Sequence, residues 1–295
     1  MPKIKEILRI FLPVFFALIS SAQARLIAQF KFDGNLLDTS GNGYLAGDGQ
    51  LKGNTHYIEG KFDHALAFDG SGDFIYAMVA PNGSGGWIPQ IIPNSNAISI
   101  SMWIKMDGYP TADTDFIAPR SWMPGDHSIE FHQNGFGYQT PFFIVAQAPG
   151  LPEYPHKMIT SDKLGNWFHL AITYDASAGE AYMYIDGLAG DVATITSGSL
   201  VKIGNYTIGG SAYLNSRYFN GQIDEVRIYD NALAPAEVQV LFHEFDEIND
   251  SNLNCEHLPG DLNFDCFIDL KDFAILANDW LKCTMPEDSR CQSSM

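Results

Sequence analysis

The chain has 295 residues, 46% of them hydrophobic, with 35 Asp and Glu against 17 Lys and Arg, for a formal net charge of −18. That length and apolar content are enough for a large core. The acidic excess excludes nucleic acid and anionic lipid surfaces as natural partners.

At the N-terminus Lys3, Lys5 and Arg9 precede an apolar run from Ile10 to Ile19, and Ala22-Gln23-Ala24 follows with small residues at alternate positions. This is the pattern of a secretory signal peptide over residues 1–24, cleaved after Ala24. It is too short and wrongly flanked for a membrane span, and no later stretch is long and apolar enough for one. The expected product is soluble, without membrane insertion, and secreted, periplasmic or at the cell surface. Loss of residues 1–24 removes three basic and one acidic side chain, leaving a net charge of about −20.

Residues 25–245 read as one all-β domain. Apolar and polar residues alternate in Leu26–Phe32, Ala97–Lys105, Trp167–Tyr174 and Ala181–Ile185, with turn dipeptides at Asp33-Gly34, Asp69-Gly70 and Asp186-Gly187. One short helix is predicted from Pro235, carrying Val238, Leu241 and Phe242 on one face. A polar stretch from His243 to Asn254 follows, with the linker at 246–254.

The tail, 255–295, holds all four cysteines, Cys255, Cys266, Cys283 and Cys291. In an exported chain they point to two disulfides, in any of three pairings. A zinc site is the rival reading, and the absence of any C-x2-C pair speaks against it. Asp261, Asn263, Asp265, Asp269 and Asp272 stand at positions 1, 3, 5, 9 and 12 of an EF-hand-type loop, with the carbonyl of Phe267 at position 7. Hard oxygen donors at that spacing select calcium over softer metals. Phe273, Leu276, Ala277 and Trp280 then recur at helical spacing. A module this small needs ion and disulfides in place of a core.

Several segments together resemble the LamG-like (laminin-G type) jellyroll of the concanavalin A-like lectin/glucanase superfamily. They are Ala28–Gly34 with Asp38–Gly43, Gly60-Lys61-Phe62, Ala65–Ile75, Ile98–Ile104, Asn166–Asp175, Tyr184–Gly187, Phe219–Tyr229 and Ala232–Val238. The resemblance implies two packed antiparallel sheets with loops gathered at the rim. The tail resembles half of a bacterial type I dockerin, with one loop-helix copy. Cys266 replaces the usual Gly at position 6, and Leu270 and Lys271 occupy the places that would face a cohesin, so a cohesin-like receptor is in question. The expected fold class is thus an all-β, two-sheet jellyroll sandwich, concanavalin A-like, with a small C-terminal calcium loop-helix module.

A glycan site needs aromatic faces beside a few hydrogen-bonding groups, often on loops. Trp87, Arg120, Trp122, His127 and Tyr138 are the candidates, with Trp87 and Trp122 read as loop residues; Tyr109, Glu130 and His132 share the region. Each could equally fold back over the sheet. Trp103 and Trp167 lie in strands, where packing is expected. Asp38, Asn42 and Asp224 form a candidate second calcium site if the first and last strands pair; the alternative is turn capping by Asp38 and Asn42 with Asp224 bonded to backbone.

Catalysis lacks a recognisable motif. The laminarinase-type members of the superfamily set their carboxylates on one strand as Glu-x-Asp-x-x-Glu. The nearest run, Glu244–Asn249, lacks the final Glu and lies in the polar stretch after the helix. Glu130 and His132 alternate on one strand, a weak acid/base pair. The expected function is a secreted, non-catalytic module binding a polysaccharide or glycoconjugate, with calcium as cofactor. A glycan-active hydrolase of the same superfamily and a structural surface or matrix component are the alternatives.

Overall fold

The computed structural model describes residues 24–46, 50–81, 84, 87–110, 112–120, 126–132, 143–148, 150–151, 156–190, 192–196 and 198–244. The chain divides into two units, Met1–Phe242 and His243–Met295.

In chain order the described strands begin with β1 (Leu26–Phe30), β2 (Leu45–Ala46), β3 (His56–Glu59), β4 (His64–Asp69), β5 (Ile75–Pro81), β6 (Trp87–Pro89) and β7 (Ile91–Ser95). The middle of the domain supplies β8 (Ala97–Met106), β9 (Thr114–Pro119), β10 (Ser128–His132), β11 (Phe143–Gln147), β12 (His156–Met158) and β13 (Trp167–Asp175). Then come β14 (Glu180–Ile185), β15 (Leu188–Ala189), β16 (Ala193–Thr194), β17 (Val201–Gly204), β18 (Tyr206–Ile208) and β19 (Asn220–Tyr229). Besides a 3-10 turn at Ser161–Lys163, the described residues hold the α-helix α1 (Pro235–His243), which follows β19.

The larger sheet runs β15-β14-β13-β8-β19-β4-β3, with β1 added against β19 and β16 against β14. The second runs β12-β11-β10-β9-β18-β5-β2, with β6 against β5. A ribbon of β7 and β17 stands apart from both sheets. Alternation builds the sandwich: Phe168, Leu170 and Ile172 of β13 join the main core with Ile100 and Ile104 of β8. Ile75 and Ala77 of β5, Phe116 and Ile117 of β9 and Tyr206 and Ile208 of β18 complete it from the second sheet. This is the two-sheet jellyroll expected from the sequence.

The other face of the larger sheet is covered by α1. Val238 and Leu241 pack there on Ala171, Tyr184, Tyr229 and Leu233. Pro235 opens the helix, and the Ala234 amide donates to Glu237 Oε2 at 2.7 Å, half of a capping box. Trp103 lies buried on the same face, edge-on to Phe62 and stacked on Phe242 at 5.9 Å. Trp167 is only half-buried. Asp186-Gly187 joins β14 to β15 with φ of +50° and +71°, the type I′ geometry that such a dipeptide favours.

Strand β19 carries the feature that shapes the site region. Its first residues pair with β4 and its last with β1, and the register against β8 breaks between Asp224 and Arg227. Glu225 sits in that break with φ of +48°. Such a bulge re-aims side chains on either side of it. The first and last strands do pair, through Phe30 opposite Val226 and Gln29 opposite Arg227.

Candidate functional site

Strands β4 and β8 end, and β9 and β19 begin, at one rim of the sandwich. Between them lies an open groove of about 500 Å³, within the roughly 300–1,000 Å³ common for small-molecule sites. Tyr109 and Tyr218 supply rings; Asp69, Asp107, Asp113, Arg217, Asn215 and Asn220 supply polar groups. Tyr109 donates its hydroxyl to the Ile159 carbonyl at 3.5 Å, and Tyr218 donates to Asn215 Oδ1 at 3.0 Å. Arg217 lies 3.4 Å from Asp115 and 3.7 Å from Asp113. Its carbonyl accepts from the Asp115 amide, which ties the loop to β9.

The backbone here is held under strain. Asn215 and Arg217 both adopt positive φ, +51° and +57°. For Arg this conformation is disfavoured, and such residues gather at ligand sites. At the tip of the same loop Tyr213 is 57% exposed and Leu214 46%. The loop leaves β18 through Gly209 and Gly210. A Cβ at Gly210 would stand 2.8 Å from the Tyr218 ring, and one at Gly209, where φ is +85°, would collide with Phe68. Phe68 in turn packs on Phe219 at 6.2 Å. Gly209→Ala is therefore expected to cost about 2 kcal/mol or more, read as a lower urea midpoint. An unchanged midpoint would show that Phe68 has room to move.

Of the residues singled out in the sequence, Tyr109 lines this groove. Arg120 lies elsewhere, on the second sheet: its guanidinium stands 4.0 Å above the Tyr76 ring, and Lys52 Nζ is 5.8 Å from the same ring. His127 is 5% exposed, with Nε2 2.9 Å from the Tyr206 hydroxyl. Burial pushes its imidazole down to about 4. Trp87 opens strand β6 opposite Pro81, where the sequence reading placed it in a loop. The register from Val79–Pro89 to Pro81–Trp87 extends the sheet edge and takes the residue into it. Glu130 and His132 lie on β10, opposite Val145 and Phe143 of β11. Trp122 and Tyr138 lie outside the described residues. So do residues 1–23, the four cysteines and the loop of Asp261, Asn263, Asp265, Phe267, Asp269 and Asp272.

The Asp38, Asn42 and Asp224 set separates into two local arrangements. Asp38 closes its own turn by accepting from the amides of Gln29, Ser40 and Tyr44 and from the Ser40 hydroxyl. Asn42 donates to the Leu26 and Ile27 carbonyls. Asp224 is fully buried beside the bulge, and its Oδ2 accepts from the Phe62 amide at 3.0 Å. Its Oδ1 is buried without a hydrogen-bond partner. Burial is the first cause that lifts its carboxyl to about 8, and the nearby Glu225 and Asp33 add to it. Asp33 Oδ1 accepts from the His64 amide at 3.3 Å, so Asp33 and Asp224 hold the same 60–64 turn. Among the described residues no group of three or more His, Cys, Asp or Glu could by itself hold a metal ion.

Beneath the larger sheet's outer face, His169 is 2% exposed and 5.4 Å from the Trp103 ring. Burial first, and the Arg227 guanidinium second, push it down to about 3. Arg227 and Glu225 pair at 3.2 Å in the same layer. A smaller cleft of about 360 Å³ on this sheet is lined by Tyr182, Tyr184, Leu233 and Pro235, with Asp175 and Glu180 at one side.

The groove was not legible because its residues come from three segments, 69–70, 107–114 and 215–220, that no local pattern links. The one local signal was Gly209-Gly210 followed by Tyr213 and Tyr218, a loop with two tyrosines after a turn that only Gly tolerates.

Several solved structures share the fold. Domain 4 of AbnA, a GH43 extracellular arabinanase from Geobacillus stearothermophilus solved in complex with arabinotriose, is 24% identical at a TM-score of 0.52. That match covers 74% of this chain and 98% of the domain. The ligand binding domain of botulinum neurotoxin serotype D, in complex with N-acetylneuraminic acid, is 16% identical at a TM-score of 0.56. It covers 75% of this chain and 51% of that one. The receptor binding domain of the C/D mosaic serotype is 15% identical at 0.54, with 75% and 51% covered. The chain thus spans about half the length of the neurotoxin domains. No curated protein matches it in sequence. A laminin-G type family model, that of the concanavalin A-like lectin/glucanases superfamily, matches residues 80–239, more than half of the chain. With the two-sheet jellyroll that these residues build, the chain belongs to the concanavalin A-like lectin/glucanases superfamily.

Proposed function

We propose that the protein is a secreted, non-catalytic glycan-binding module that takes its ligand in the rim groove between Tyr109 and Tyr218. One observation carries the reading: two tyrosine rings and a ring of amide, carboxylate and guanidinium groups converge on one groove at the loop end of the jellyroll. Sugars present apolar faces and many hydroxyls, and this combination answers both. The arabinotriose and N-acetylneuraminic acid complexes of similar folds support carbohydrate as the ligand class. The signal-like N-terminus supports export.

The test is affinity electrophoresis of the mature protein through a panel of soluble polysaccharides. Retardation by at least one is expected, and Tyr109→Ala and Tyr218→Ala should each weaken it roughly tenfold, about 1–2 kcal/mol. Migration unaffected by every polysaccharide, or binding kept by the double variant, would sink the groove as the site. New reducing ends released from the bound polysaccharide would favour the hydrolase alternative instead.

Calcium belongs to the same reading at two places. The tail loop Asp261–Asp272 is the first, with a structural role. In the sandwich, the buried and unpartnered Oδ1 of Asp224 fits an ion, and Asp33 is its neighbour on the 60–64 turn. Asp38 and Asn42 already close their own turn. An ion there would neutralise buried carboxylate charge and fix Asp33, Gly60–Phe62 and β19 to one another.

A further inference from the structure

The rim groove is charged in one sense. Among the described residues, three carboxylates, those of Asp69, Asp107 and Asp113, line it against a single cation, Arg217. The guanidinium is already engaged, 3.7 Å from Asp113 and 3.4 Å from Asp115, and Asp115 is buried. Its charge is therefore offset by two carboxylates before any ligand arrives. Asp69 and Asp107 are exposed at the groove, and Asp69 turns one oxygen to the Ser71 amide. An incoming carboxylate or sulfate would face net negative charge at close range. The whole chain, at −18, adds a repulsive field of the same sign.

We infer that the groove selects neutral glycans and rejects acidic ones, such as sialylated, uronic-acid or sulfated chains. The inference rests on the reading of this groove as a glycan site and names the ligand class within it. Selection works by repulsion as much as by contact. Hydroxyls of a neutral sugar can donate to Asp107 and Asp113 and accept from Asn215 and Asn220, whereas an acidic sugar brings a carboxylate or sulfate whose charge is repelled by the same groups. Asp113 is the specificity residue, because it both repels an anion and holds Arg217 away from one.

Isothermal titration of the mature full chain tests this with two probes of matched length, a neutral arabino-oligosaccharide and an oligogalacturonide, each at low and high salt. The neutral probe is expected to bind at least about tenfold more tightly, equivalent to about 1.4 kcal/mol. Its affinity should change little with salt, while any binding of the acidic probe should strengthen as salt screens the repulsion. Asp113→Asn should narrow the preference by releasing Arg217 toward the acidic probe, and Asp113→Asn with Arg217→Gln should lose that gain. Equal or tighter binding of the oligogalacturonide, or an unchanged ratio in Asp113→Asn, overturns the inference while leaving a glycan site in place. Heat absent with both probes, together with no retardation on the polysaccharide panel, overturns the glycan reading and this inference with it.

Discussion

Calcium should raise the melting temperature of the mature protein, and Asp224→Asn should remove the part of that rise due to the jellyroll. A fully buried carboxylate with one oxygen unpartnered is unfavourable unless something neutralises it. The Phe62 amide satisfies only Oδ2. A divalent cation shared with Asp33 would satisfy Oδ1 and turn an unfavourable burial into a clamp between the 60–64 turn and β19. At calcium a hundredfold above its dissociation constant, the gain is about 2.7 kcal/mol. For a domain of this size that is a rise of roughly 5–10 °C. In chelator the Asn variant should melt at or above the parent, because the amide keeps the Phe62 bond and needs no proton taken up to be neutral when buried. In calcium it should fall behind. Calorimetry on the full chain separates the two sites: Asp224→Asn and paired Asp261→Asn, Asp265→Asn should each reduce two bound ions to one. A calcium increment left intact in both Asp224→Asn and Asp33→Asn would exclude the sandwich site.

How far the fold could be read in advance follows from where its information lies. Strand β13 sets Phe168, Leu170, Ile172 and Tyr174 at alternate positions, so one face had to enter the core, while Trp167 and Ala171 made the other face apolar enough to need cover. Pro235 with Val238 and Leu241 three residues apart announced a short amphipathic helix, and that helix provides the cover. Asp186-Gly187 and the pairing of β1 with β19 were equally local or family-level signals. The site behaved differently. Asp38 and Asn42 sit in a turn rich in hydrogen-bonding side chains, and such turns resemble cation loops until their donors are counted. Asp33 is an unremarkable turn residue in sequence and gains meaning only from the 60–64 turn, some thirty residues away along the chain. His127 stands in a polar stretch between Gly125 and Ser128, yet its ring is buried against Tyr206 of β18, 79 residues distant. Burial of single polar residues depends on such long-range pairings, and periodicity carries no signal for them.

Those two buried histidines set the response to acid. Both His127 and His169 titrate below the ordinary value of 6.5, at about 4 and about 3, with burial as the leading cause. Below pH 6.5 the unfolded chain takes up a proton at each, and the folded chain does not until pH approaches 4 or 3. The histidines' contribution to stability is therefore complete above 6.5 and is lost as pH falls toward those values, at about 1.4 kcal/mol per pH unit for each ring. Asp224 opposes them. Its carboxyl titrates at about 8 when folded, against 3.8 ordinarily, so between those values the folded chain holds a proton that the unfolded chain releases. That contribution grows as pH falls to about 4. In chelator one histidine is thus offset by Asp224, and the net loss from pH 6.5 to 4.5 is about 2–3 kcal/mol, a large share of an ordinary folding free energy. Urea denaturation across this window measures it. His169→Gln should flatten the curve by about 1.4 kcal/mol per pH unit relative to the parent. His127→Gln should do the same, at the additional cost of the Tyr206 contact at every pH. Parallel curves for parent and both variants would mean that neither ring is held neutral by its surroundings, and that the acid response originates in the surface carboxylates.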